Sequence, residues 1–249
     1  MPAGTYHGYL GLTQLLEARR PVLPDEASPR DRAAEAFFIV VHQSSELWLR
    51  QILTDLEGAR ESMAPPRMET ELALEFLERV VSVHRLLNEH LTVLGLLPGA
   101  SFAELRPRLG CASGAESRQF RDLDRVVGLD GGTGPLYDSF VAAVLGHGMT
   151  VEEVYRQGHT AGPLYRIAET LLEVGHLIWQ WKVRHLDVVA RTLGDLPGTG
   201  GSAGTRYLRE RVGSVFPELT RARALALTGR ESGPGARLDR QRAVPAEPR

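Results

Sequence analysis

The chain has 249 residues, 43% of them hydrophobic, enough for one large domain or two small ones around a sizeable buried core. With 29 basic and 31 acidic side chains the net charge is -2, which leaves no electrostatic footprint for nucleic acid and no arginine-lysine block suited to a membrane surface. The single cysteine, Cys111, rules out an intrachain disulfide or a cysteine-built zinc or iron-sulfur centre, so a metal must come through histidine, carboxylate or a prosthetic group.

The N-terminal stretch "MPAGTYHGYLGL" lacks a basic segment followed by a long apolar core, and nowhere do eighteen uncharged apolar residues run together. A soluble, cytoplasmic protein is expected. The first helical pattern runs from about Arg32 to Met63 and contains "FFIVVHQSSELWLRQ", where His42 has Phe38 one turn before it and Glu46 one turn after. The apolar spacing turns His42 inward. An inward histidine is commonly a core residue hydrogen-bonded through one ring nitrogen; the alternative is a ligand or a base.

A proline pair, Pro65 and Pro66, then separates a second pattern from about Met68 to Leu97, with apolar positions at Leu72, Phe76, Val80, Val83, Leu87, Leu91 and Leu94, and makes a tight antiparallel connection plausible. His84 and His90, six residues apart on it, point in different directions and make a poor metal pair. In "SFAELRPRLGCASGAESRQFRDL" Arg106 follows Phe102 by four residues. On a helix, ring and guanidinium share a face, a combination suited to an aromatic substrate with a carboxylate; surface salt-bridging is the bland alternative. A mixed third segment covers Glu116 to Val127 and, after the glycine-rich break "GLDGGTGP", Leu136 to Gly146. His147, His159 and His176 have no ligand-like partner spacing and read as structural or surface residues.

The longest pattern, about Pro163 to Leu193, spans roughly 45 Å at 1.5 Å per residue, and its stripe is Ile167, Leu171, Val174, Ile178, Trp181, His185, Val188 and Thr192. His42 and His185 thus sit on apolar faces of two long helices, the way a helical protein flanks a flat ligand such as haem; chance placement among eight histidines gives the same pattern. "GTGGSAGTRYL" follows, a flexible linker or a lid with hydroxyls at Thr199 and Ser202, and not a phosphate loop, having no lysine after its glycines and no strand before them. No segment alternates as a half-buried strand would. We expect an all-α, single-domain helical bundle over residues 1–227 with an N-terminal arm, and a disordered tail over 228–249.

In this order, "FFIVVHQSSELWLRQ", "SFAELR" with "ASG" seven residues on, "QFRDL", "WKVRHLDVVARTLG", "GTGGSAG" and "FPEL" resemble the tryptophan 2,3-dioxygenase family, from about Tyr6 to Leu219 with a weakly matching stretch between about Val127 and Leu164. The resemblance implies a bundle enclosing haem b, usually a homotetramer, that uses O2 and L-tryptophan. Both oxygen atoms enter across the indole C2–C3 bond to give N-formylkynurenine, in the kynurenine pathway of tryptophan catabolism. It further implies His185 as the proximal iron ligand, His42 as the distal histidine bonded to the indole N–H, Phe38 and Phe102 as walls of the indole site, and Arg106 on the carboxylate. Thr199 would contact the amino-acid end, Ser113 and Gly114 line the haem pocket, and Tyr6 and Tyr9 reach into a neighbouring subunit's site. The chain departs from the family where "SGAES" stands for the usual "SGFQS", with Ala115 for an aromatic and Glu116 for an amide, and it lacks C-terminal helical residues of many relatives. These departures leave the haem ligand untouched and bear on the substrate. Two other readings are a mono- or dioxygenase of a substituted, for example methylated, tryptophan in natural-product biosynthesis, and a non-catalytic haem- or tryptophan-binding sensor.

Overall fold

A computed structural model describes residues 4–194, 196–199, 201 and 203–231, and no strand occurs among them. Two short N-terminal helices, α1 (Tyr6–Leu10) and α2 (Leu12–Leu16), bury no residue. They lead to α3 (Pro29–Met63), which starts three residues earlier than its apolar pattern because Ser28 caps it, accepting from the Asp31 N–H at 3.1 Å, and Pro29 supplies a preset first turn.

After the Pro65 and Pro66 connection, α4 (Thr70–Leu94) returns along α3. The cross-pairs Gly58 with Phe76, Asp55 with Arg79 and Ser45 with His90 run in opposite directions on the two helices, so they are antiparallel. Gly58 is required there, since a Cβ would stand 2.9 Å from the Phe76 ring. Helices α5 (Gly99–Leu105) and α6 (Arg118–Val126) follow, separated by 3-10 turns at Arg106–Arg108 and Gly114–Glu116. The glycine-rich break closes on itself, because at Gly134 (φ 80°) a Cβ would come within 2.5 Å of the Gly128 nitrogen. Helices α7 (Pro135–Gly146) and α8 (Val151–Gln157) lead through a 3-10 turn at Gly158–Ala161 to α9 (Pro163–Leu193). This last helix lies parallel to α4, to which it is joined by Glu71 with Arg166, Arg85 with Glu173 and Glu89 with Arg184. Helices α10 (Thr205–Glu210) and α11 (Pro217–Glu231) complete the described chain.

One contiguous core takes Leu49, Ile52 and Leu56 from α3, Leu77 and Val80 from α4, Phe140 from α7 and Ile167, Leu171 and Val174 from α9. The α9 stripe is not buried throughout. Ile167 to Ile178 lie in the core, whereas Trp181, His185, Val188 and Thr192 are half-buried. Helix α4 ends at Leu94, soon after the Glu89–Arg184 pair, so the last turns of α9 outrun it. Leu72, expected on the core face of α4, is 38% exposed. Helix α11 overruns the boundary expected at 227 by four residues, and 232–249 lie outside the described residues. No helix among the described residues is long and apolar enough to cross a membrane.

Candidate active site

On α3, the His42 Nδ1 lies 2.7 Å from the Phe38 carbonyl one turn back. A carbonyl only accepts, so Nδ1 carries the proton and Nε2 keeps a free lone pair. His42 does not point into the packed core as its sequence spacing suggests; solvent reaches the residue, while protein atoms crowd enough of the ring that burial, working against the Phe38 bond and Glu46, lowers its pKa. The Phe38 ring lies 4.1 Å from the His42 ring and 5.9 Å from Phe102 on α5, centroid to centroid. Arg106 caps the C-terminal end of α5, and its Nη2 donates to the Pro197 carbonyl at 2.7 Å. Its Nε–H is buried and has no partner among the described residues, a donor beside the two phenylalanines' helices.

His185 lies one turn beyond the point where α9 leaves the core. Burial first, and then the nearby His42 imidazole, push its pKa down to about 4, so it is a neutral ring at pH 7. His42, His84 and His147 each use the carbonyl four residues back. The ring nitrogens of His185 have no such bond among the described residues. Instead its ring stacks on Trp181, with centroids 5.1 Å apart and planes at 22°, and Trp181 stacks on Phe120 of α6 at 4.7 Å. A neutral imidazole with a free lone pair, stacked on aromatic rings, has the chemistry to bind a metal such as haem iron. No group of three or more His, Cys, Asp or Glu suited to a metal ion occurs among the described residues, and a single axial histidine needs none.

The Thr199 hydroxyl donates to the Ala112 carbonyl at 2.6 Å, so with Pro197 on Arg106 the glycine-rich loop is tied down at two points, as a lid would be. Ser202, the second hydroxyl of that loop, lies outside the described residues. Ser113 caps the Gly114–Glu116 turn: its hydroxyl accepts from the Ala115 N–H and the Glu116 carboxylate accepts from the Ser113 N–H. Around Gly114 nothing lies within 4 Å of where a Cβ would be, and Ala115 is exposed. Tyr6 and Tyr9 are 73% and 82% exposed on α1 and stand apart from these residues. A polar cavity of about 540 Å³, walled by Arg118, Asp122, Asp124 and Lys182 among others, contains none of the expected site residues.

The structure therefore brings His42, Phe38 and Phe102 together and ties Arg106 and the Ala112 carbonyl beside the Ser113 turn to the glycine-rich loop. A family model described as tryptophan 2,3-dioxygenase matches residues 1–133 and 139–225. The chain belongs to the tryptophan 2,3-dioxygenase family. The match extends through most of the stretch from Val127 to Leu164 that reads as only weakly similar, and the residues it skips carry no candidate role. Among curated members of the family, the chain is 30% identical to the tryptophan 2,3-dioxygenase of Pseudomonas aeruginosa over 89% of this chain and 90% of that one. It is 32% identical to that of Anaeromyxobacter sp. over 86% and 93%, and 28% identical to that of Pseudomonas fluorescens over 88% and 90%. Trp181, Phe120, Gln119 and the Pro197 carbonyl contact the expected residues or the helices that carry them, and sequence reasoning left them without a role. Gln119 and Phe120 stand in "QFRDL" and Trp181 in "WKVRHLDVVARTLG", two blocks that carry the resemblance, and Trp181 lies one turn before His185.

Proposed function

We propose that the chain is a haem-dependent dioxygenase of L-tryptophan, a cytoplasmic homotetramer whose product is N-formylkynurenine. The observation that carries this reading is His185, neutral, stacked on Trp181 and without a hydrogen-bond partner among the described residues, with His42 close enough to influence its charge and offering a free Nε2. His185 would hold haem b through its iron, with Ser113 and Gly114 beside the ring, and bound haem supplies the activation of O2.

The chain's own residues bind and orient the substrate. Nε2 of His42 accepts the indole N–H, and Phe38 and Phe102 confine the ring, which fixes C2 and C3 in one place. Arg106 exchanges the Pro197 carbonyl for the substrate carboxylate, and its orphaned Nε–H gives the second of two parallel donors. Thr199 closes the loop over the amino-acid end and excludes water. Tyr6 and Tyr9, exposed on an arm that buries nothing of its own, enter a neighbouring subunit's site.

One observation favours a second reading, a mono- or dioxygenase of a substituted tryptophan: Ala115 is exposed and carries only a methyl group where the family usually has an aromatic ring. One methyl group in an apolar pocket is worth about 1–3 kcal/mol of discrimination. Turnover of L-tryptophan and of its ring-methylated forms under labelled O2, read by product mass, separates the two. Two labelled atoms in a product from unsubstituted tryptophan support the first reading; one atom, or turnover confined to a methylated substrate, transfers the assignment to the second.

A further inference from the structure

A metal-binding histidine usually has its ring plane fixed by a hydrogen bond from its second nitrogen to a carboxylate, carbonyl or water. Among the described residues His185 has no such bond, and the contact that orients it is the stack on Trp181. That stack continues to Phe120, whose ring lies 4.7 Å from Trp181 at 26°. Helix α6 is joined to α9 a second time by Lys182 and Asp124, 2.7 Å apart with side chains only 13% and 18% exposed.

The neighbouring residue on α6 faces the other way. The Gln119 amide nitrogen donates to both the main-chain carbonyl of Glu46, at 2.8 Å, and its carboxylate, at 2.6 Å. Both acceptors are oxygens that cannot donate, so only the amide N–H2 satisfies them together, and holding the backbone as well as the side chain fixes α6 along α3, not only against it. Glu46 stands one turn after His42, and Trp181 one turn before His185. The path Glu46, Gln119, Phe120, Trp181 therefore spans from the helix of one imidazole to the helix of the other.

We propose that Gln119 and Phe120 form a strut that sets the spacing of His42 and His185 and the ring plane of His185. They are positioning residues, and the proposal rests on the reading of His185 as the haem ligand. Gln119 governs the distance between the imidazoles and Phe120 governs the proximal ring.

The test uses the full chain titrated with haem, reading affinity, the ferric spin state by absorption and the ferrous iron–histidine stretching band by resonance Raman. Phe120→Leu is expected to shift or broaden that band, and Phe120→Tyr, which keeps the stack, to restore it. Gln119→Leu is expected to weaken haem binding about tenfold, the size of a lost hydrogen bond to a charged group, and to raise the low-spin fraction as His42 loses its fixed distance. Glu46→Gln, whose side-chain oxygen still accepts from Gln119, should leave both near the unaltered values, whereas Gln119→Glu, which sets a carboxylate against two acceptors, should weaken haem binding at least as much as Gln119→Leu. Unchanged spectra and affinity in Gln119→Leu and Phe120→Leu, with helix content intact, would overturn the strut, as would a loss of thermal stability alone. Absence of haem binding by the unaltered chain, or an ordinary haem spectrum in His185→Ala, would instead overturn the haem reading and the strut with it.

Discussion

Arg106 holds a main-chain carbonyl with one nitrogen and leaves another buried and unpaired among the described residues, an arrangement that a carboxylate ligand improves. A charge-assisted hydrogen bond contributes about 1.5–3 kcal/mol, so Arg106→Leu should weaken L-tryptophan binding by roughly tenfold or more. The direct check is a comparison of tryptophan with tryptamine, which lacks the carboxylate. Wild-type protein should prefer tryptophan and the variant should not; equal binding of both by the wild type would remove the role. His84 shows a different use of the same side chain. It is 2% exposed, bonded to the Val80 carbonyl, and burial pushes its pKa from 6.5 down to about 4. The unfolded chain therefore takes up this proton first as pH falls. The associated stability is complete above about pH 6.5, declines toward pH 4 and is constant below it, roughly 3 kcal/mol in all. Urea unfolding at pH 7 and pH 4.5 should show a smaller acid loss in His84→Gln than in the wild type; equal losses would contradict this account.

At the scale of elements, the hairpin of α3 and α4 is pinned by a buried charge. Asp55 is 1% exposed and receives Arg79 through Nε at 2.9 Å and Nη2 at 2.7 Å, with the Gln51 amide at 3.0 Å. Removing the guanidinium strands a buried carboxylate, so Arg79→Met should cost about 2–4 kcal/mol, measurable as a lowered urea midpoint; an unchanged midpoint would mean that water or relaxation replaces the arginine. The long helices of this hairpin, together with α7 and α9, are legible from the 3.6-residue period alone, since each runs for three turns or more against the core. Helices α1, α2, α5, α8 and α10 are too short to show a period, and their boundaries depend on caps and contacts. In the site, His42 and His185 stand out as polar residues on apolar faces, and Phe102 and Arg106 as a four-residue pair. Gln119 and Phe120 do not stand out. Gln119 meets Glu46 across 73 residues, and no local pattern records that distance. His42 shows the limit of periodicity in another way: the period distinguishes an apolar face from a polar one, but not a core from a cleft.

For the whole molecule, the described chain leaves large apolar side chains in contact with solvent, among them Tyr6, Tyr9 and Leu16 on the arm and Trp48 and Trp179 on the long helices. The arm is anchored to its own chain by Glu35, which is 3% exposed and accepts from the Val22 and Leu23 N–H groups. The arm is thus anchored at its root, with α1 exposed beyond it, which suits the proposed contact with a neighbouring subunit. Deleting residues 1 to 12 should lower turnover and shift the protein to smaller species in sedimentation; a fully active monomer would exclude the arm from the site.

The proposed catalytic roles rest on haem being held by His185. The most direct measurement is a titration of wild-type and His185→Ala protein with haem, followed by ferric and ferrous absorption spectra with and without L-tryptophan. The wild type should bind one haem per chain with a histidine-ligated spectrum that changes on adding tryptophan, and His185→Ala should lose haem while keeping its helix content. A variant that retains haem with the wild-type spectrum would contradict the assignment of His185.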